Sequence, residues 1–549
     1  MPSLLILRNG RFFQEAEGAA SFVDCLVLDR DSGTIVYVGT AHDEAVRDAR
    51  ASGATEQDVG GRFVLPGLID GHMHLLQTGE ALGRPDLSPC KDLAEIRTRI
   101  RQHATAHPEL VRIVCRGWLQ EATAATGDVR AADLDDLDPR PIFVHTEDLH
   151  SAWCNSAALA ELGVDEMPDP PGGCIHRDAD GRPTGFLSES AALGIAWPFV
   201  SGAATVEERV RCVGDGIDAY LSAGYTALVE LAMDEVSWEA LKLFRSRQPD
   251  GRLPVDMAMY WLVLPRDSED ETLRQVDRAV QVRAELREAG VRDVRVAGIK
   301  LLCDGVVDSC TAALREPYAN GAAGPDPIWP MDRLVAVMRR ADVAGMQCAL
   351  HAIGDAAIHQ AIDALEIVAN PAARHRIEHL ETCAPEDARR LGPLGIVASI
   401  QPVHSDPAIM GQWPRLLGPE RCRHVFPYSA IADAGAVIAM GTDSPTASLL
   451  PLPNLYTATT RRSGREPRRT DRTTPQFALS MAAAVAAATR GAAYSCFADT
   501  WAGSLEPGKV ANLTVVDMSW DAEKLLDAHV VETWVAGRVI FPANDDGRP

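Results

Sequence analysis

An alternation in the middle of the chain constrains the fold more than any other feature. Eight apolar, strand-like runs occur at 64–74, 224–231, 254–263, 294–304, 346–351, 376–379, 396–402 and 436–443. Amphipathic stretches such as 331–344 and 355–368 lie between several of them. Strands alternating with helices predict parallel βα units, and eight such units predict a closed (β/α)8 TIM-like barrel of the α/β class. About 140 residues separate the first run from the second, far more than a βα loop needs. A long cap insertion over 81–219 is therefore expected after strand one, at the barrel mouth.

Both ends of the chain read as β. Short β-branched or apolar runs occur at 4–7, 25–28 and 34–38, and again at 511–517 and 530–540. Asp29-Arg30-Asp31-Ser32-Gly33 supplies turn chemistry between two of them. These segments predict a small β-sandwich domain built from both termini (1–64 with 496–549), attached to a barrel of 65–80 with 220–495. The alanine-rich stretch 479–498 is cut by Arg490 and reads as a buried helix rather than a span. The basic run 461–469 reads as a solvated surface loop.

Composition excludes some partners. A net charge of −24 repels phosphate backbones and anionic lipid, so neither nucleic acid nor a membrane is expected as partner. The twelve cysteines include no C-x-x-C pair, and no basic residue precedes the first apolar run. Reduced thiols and a cytoplasmic location are the expectation.

The residues able to carry chemistry sit at predicted strand ends. The first run closes in His72-Met73-His74, and the period of two along a strand points both imidazoles to one face. His351 and His379 end two later runs, and Asp443 follows the last. Four imidazoles and a carboxylate at the carboxyl ends of barrel strands can meet a divalent metal. Lys300 interrupts an otherwise apolar run, where a buried cation is costly unless paired or neutralised. It can reach an acid such as Asp304, or react with carbon dioxide to give an anionic carbamate that bridges two metals.

This constellation resembles the amidohydrolase superfamily, in detail its YtcJ-like branch, amidohydrolase family 3. The resemblance rests on Leu65-Pro66-Gly67-Leu68-Ile69-Asp70-Gly71-His72-Met73-His74, on His150-Ser151-Ala152-Trp153-Cys154-Asn155 and on Lys300-Leu301-Leu302-Cys303-Asp304-Gly305. It extends to His351-Ala352-Ile353-Gly354-Asp355, Arg376-Ile377-Glu378-His379, Gln401-Pro402 and a C-terminal segment at 503–513. The resemblance implies His72, His74 and Asp443 on one metal, His351 and His379 on a second, and carboxylated Lys300 between them. The family's usual ion is zinc, a donor set of imidazole and carboxylate also admits manganese, iron or cobalt, and one or two divalent ions are expected here. The sequence departs from the branch at Asp308, Cys310 and Ala356, in loops expected to face substrate.

The implied reaction is metal-assisted hydrolysis of a carbon–nitrogen bond in a small, N-substituted or aryl amide. Asp443 acts as general base and then acid. Trp118, His150, Trp153, Asp304 and His404 are the candidate substrate contacts, and a homodimer is expected. A metal-free scaffold of the same fold, deamination, cyclic imide or lactone hydrolysis, and a lyase step remain the alternatives.

Overall fold

The computed structural model describes residues 3–16, 18–123, 129–146, 151–170, 173–189, 191–322 and 324–542. Two compact units emerge: Met1–Leu75 with Ile217–Pro549, and Leu76–Gly216.

The first unit holds the barrel. Its strands are β1 (Leu68–Met73), β2 (Tyr225–Met233), β3 (Asp256–Val263), β4 (Val294–Leu302), β5 (Gln347–Ala352), β6 (Arg376–His379), β7 (Val397–Ile400) and β8 (Ile438–Met440). They pair in sequence order and every pairing is parallel, with registers such as Leu302 opposite His351 and His351 opposite Glu378. Buried on both faces, they are near-continuous apolar runs, as parallel strands must be.

Between β8 and β1 the ring is bridged by backbone bonds beyond the strand ends. The amides of Thr442 and Asp443 donate to the His72 carbonyl at 3.2 and 2.7 Å, and the His74 amide donates to that of Ser444 at 3.0 Å. Such an approach excludes side chains on the backbone. A Cβ on Gly441 would lie 2.4 Å from the His72 nitrogen, and one on Gly71 would lie 2.7 Å from the Met440 oxygen.

The run at 64–74 is not one strand. Phe63–Pro66 joins the terminal sheet and β1 joins the barrel, with Gly67 at the break donating to the Asn512 carbonyl at 2.8 Å. A side chain there would collide with Thr226, so the chain changes sheets at a glycine. The terminal sheet has eight strands, and Leu513–Asp517 pairs antiparallel with Phe63–Pro66 to join the two ends of the chain. Leu7, Leu26, Leu28, Leu513, Val515 and Trp534 form its core.

The second unit carries a five-stranded sheet in the order Gly173–Arg177, Pro183–Glu189, Ser151–Cys154, Ile142–Thr146, Ile113–Trp118. Its core includes Ile96, Ile100, Ile113, Ile142, Trp118 and Trp153.

One expectation is revised and one holds. The basic run is not wholly a solvated loop, because Arg461 is fully buried: it donates to the Thr473 carbonyl at 2.8 Å and lies 4.7 Å over the Tyr428 ring. The alanine-rich stretch is a largely buried helix, as expected, running over 481–495 with a wider π turn at Ala487–Gly491. Among the described residues no helix is long and apolar enough to cross a membrane.

Candidate metal centre

The carboxyl ends of five barrel strands bring the predicted ligands together. His72 lies on β1, with His74 just beyond its end. Lys300 is on β4, His351 on β5, His379 closes β6, and Asp443 follows β8. One Asp443 oxygen is 3.2 Å from His72 Nε2 and 3.0 Å from His74 Nε2. The His72 and His379 rings are 5.0 Å apart, and those of His351 and His379 are 4.3 Å apart. His72, His379 and Asp443 each offer a ligand atom within 4.8 Å of the others. His379 and Asp443 both have left-handed backbones, with φ of 76° and 57°. That conformation is strained for a bulky residue and recurs where function over-determines geometry.

Whether these residues suit a cation can be tested on their hydrogen bonds. His72 Nδ1 is 2.8 Å from a Glu378 oxygen, and Arg376 grips the same carboxylate through bonds of 2.5 and 2.9 Å. An Nδ1–H donated to Glu378 leaves the Nε2 lone pair aimed at the centre. That Nε2 is buried without a hydrogen-bond partner, as is His379 Nδ1. Buried polar atoms in proteins are nearly always satisfied, so two orphaned nitrogens beside one carboxylate fit a divalent cation. His351 Nε2 is 3.2 Å from the Gly305 carbonyl, and donation there leaves its Nδ1 lone pair available.

Ligation requires neutral imidazoles, and the electrostatics of His351 and His379 meet that requirement, whereas His74 must give up a proton to a cation. Burial pulls His351 down to about 3 and holds His379 well below the usual imidazole range. Burial would raise Asp443, but His72 and His74 hold it well below the ordinary carboxylate value. Burial opposes the charge on His74, yet Asp443 and Glu230 lift it to about 9. Burial lowers Lys300 to about 8, against the pull of Glu378 and Asp443.

The predicted substrate contacts separate in the structure. His404 joins the centre: its ring stacks on His379 at 5.7 Å, Nδ1 is 3.1 Å from Glu381, and Nε2 is 3.5 Å from the second Asp443 oxygen. Asp304 is instead a brace between two loops, accepting the amides of Ala313, Ile353 and Gly354 at 3.0, 3.0 and 2.7 Å. Trp118 and Trp153 are buried in the core of the 76–216 unit, with rings 5.1 Å apart, and act there as packing. His150 lies outside the described residues. Asp308 is exposed and accepts from Trp413 Nε1 at 3.3 Å.

Several residues of the centre escaped the sequence reading. Arg376 and Glu378 orient His72. Glu230 accepts the Leu75 amide at 2.6 Å and lies 3.5 Å from His74. Glu381 forms a second candidate ligand group with His379 and His404. Asp70 clasps strand ends by accepting the Thr442 amide at 2.9 Å and its hydroxyl at 2.6 Å. Each was signalled by an acid or arginine interrupting or bordering an apolar strand.

A parallel (β/α)8 barrel with imidazoles and a carboxylate gathered at its strand ends defines a class, the metal-dependent hydrolase barrels. The chain belongs to the amidohydrolase family, whose profile matches residues 55–541. It is 27% identical to the putative amidohydrolase YtcJ of Bacillus subtilis, over 95% of this chain and 98% of that protein. It is 26% identical to the N-substituted formamide deformylase of Arthrobacter pascens, over 92% of this chain and 93% of the relative. The crystal structure of an uncharacterised metal-dependent hydrolase from Pyrococcus horikoshii shares the fold. That match has a TM-score of 0.76 and 23% identity, covering 94% of this chain and 98% of the other. The chain is an amidohydrolase.

Proposed function

We propose that the enzyme hydrolyses the amide bond of a small, N-substituted or aryl amide, with Asp443 moving the proton. The observation that carries this reading is the placement of Asp443. One oxygen faces His72 and His74, and the other faces His404. A divalent cation held by His72, His379 and Asp443, with His74 and His351 beside them, supplies Lewis-acid charge that acidifies water and polarises a carbonyl. Zinc suits this donor set of imidazole and carboxylate. Lys300, buried on β4 between these groups, is the residue we assign to carbamate formation, its uncharged Nζ adding to carbon dioxide with loss of one proton.

The chain's own groups do the rest. Arg376 keeps Glu378 ionised, and Glu378 keeps His72 in the tautomer that presents Nε2. Asp443 accepts a proton from the attacking water and returns it to the departing nitrogen. His404, held by Glu381, lies where it can donate a hydrogen bond to the substrate oxygen. Hydrolysis of formamides by a relative of similar length supports an amide as substrate.

The test is a panel of N-substituted formamides, anilides, cyclic imides and lactones, assayed with metal content measured on the same sample. Turnover of amides, lost in Asp443→Asn at unchanged metal stoichiometry, is the expected result. Turnover confined to imides or lactones would overturn it.

A further inference from the structure

The metal centre leaves a second cavity unexplained, at the opposite end of the barrel. It measures about 330 Å³ and is walled by the start of β4, the end of the helix Glu269–Glu288 and the segment around Phe497 and Trp501. Its charged lining is three guanidiniums, Arg283, Arg287 and Arg295, with no carboxylate.

That is unusual in a chain of net charge −24. The nearby Arg245, Arg278 and Arg340 pair with Asp293, Glu235 and Asp277. Among the described residues, none of the three cavity arginines has an ion pair. Two of them are oriented by neutral acceptors that leave their charge in place. Arg283 donates to the carbonyls of Ala344 and Gly345 at 3.1 and 2.6 Å, and Arg295 to that of Cys496 at 3.2 Å. Arg287 is exposed, and Asp256 is the acid within electrostatic reach of Arg295.

The apolar part of the wall is aromatic. Arg295 lies 5.6 Å over the Trp501 ring. Phe497 is 41% exposed and has a left-handed backbone with φ of 60°. That left-handed residue closes the helix Ala492–Ser495 and its ring also lies 5.1 Å from the Arg374 guanidinium, so the open recognition surface is the arginine cluster with the half-buried Trp501 beside it.

We propose that this cavity binds an aromatic carboxylate, with the carboxylate on Arg287 and Arg295 and the ring against Trp501 and Phe497. Guanidinium forks match a carboxylate in two-point geometry. The volume falls in the range of small-ligand pockets, roughly 300–1,000 Å³. The site is independent of the reaction proposed for the metal centre.

The experiment uses the full-length, metal-loaded protein with phenylacetate as probe, and acetate and inorganic phosphate as comparisons. Calorimetry gives affinity, and hydrogen exchange locates the site. The expected result is protection at 283–297 and 496–501, with binding weakened at least roughly tenfold in Arg287→Ala and in Trp501→Leu. Acetate should bind more weakly, because it lacks the ring. Protection confined to the metal centre, or none at about 10 mM, overturns the proposal. Equal affinity in Arg287→Ala does so too, and that exposed position decides the matter if the Trp501 variant is unstable. Phosphate binding as tightly as phenylacetate would overturn the aromatic assignment.

Discussion

The barrel and the inserted unit both bury histidines and aromatics, yet among the described residues only the barrel gathers them into a centre. In the barrel, His72, His379, His351 and His404 meet at strand ends beside Asp443, and two of their nitrogens lack hydrogen-bond partners. In the insertion, His145 stacks on Trp197 at 3.4 Å, with its own Nε2 unpaired, while Trp118 and Trp153 close a core. A buried imidazole is thus not by itself a functional signal. Convergence of several on a carboxylate is, because a cation needs three or more donors at once.

The comparison can be broken experimentally, and the largest effect should come at the centre. Asp443→Asn should cut kcat by about 10³-fold or more, read as steady-state turnover in metal-replete protein. A near-normal rate would remove Asp443 from the chemistry. On the insertion side, Trp153→Ala should cost about 3–4 kcal/mol of stability by leaving a cavity, measured by urea denaturation. The folded fraction should keep its full metal content. Loss of metal in that variant would mean the two regions are not separable as described.

Glu378→Gln tests how the centre is oriented. Its metal affinity should fall roughly 10- to 100-fold by competition with a chelator, and Tm of the metal-free protein should fall as well, because the buried Arg376 loses its counter-charge. An unchanged affinity would reduce Glu378 to packing.

The smallest effect concerns pH. Burial pulls His145 down to about 2, whereas an unfolded chain protonates histidine near 6.5. Between these values the unfolded state binds the extra proton, so stability falls as pH drops below 6.5, by up to about 1.4 kcal/mol per unit. His145→Phe should flatten that slope between pH 6 and 5, measured from urea midpoints. A slope equal to wild type would show that His145 charges freely in the folded protein.

Much of the candidate centre was legible because its histidines and Asp443 stand where apolar strands stop. His72, His74, His351, His379 and Asp443 each close or follow such a run, and Lys300 interrupts one. Glu378, Glu230 and Glu381 were harder to read, because an acid in or beside a strand carries no mark of which imidazole it faces. Trp118 and Trp153 were read toward substrate, since an aromatic looks the same in a core as on a pocket wall. Asp304 was misread similarly: its three amide partners come from loops distant in sequence.

The sequence by itself determined the parallel barrel, the candidate ligands at its strand ends and the long insertion, because periodicity and strand length are local properties. Only the tertiary structure decided which groups face one another. The His72–Glu378 bond, the glycine-dependent approach of β8 to β1 and the unpaired arginines beneath β4 each join residues far apart in the chain. No local pattern encodes such pairings, which arise when the ring of strands closes.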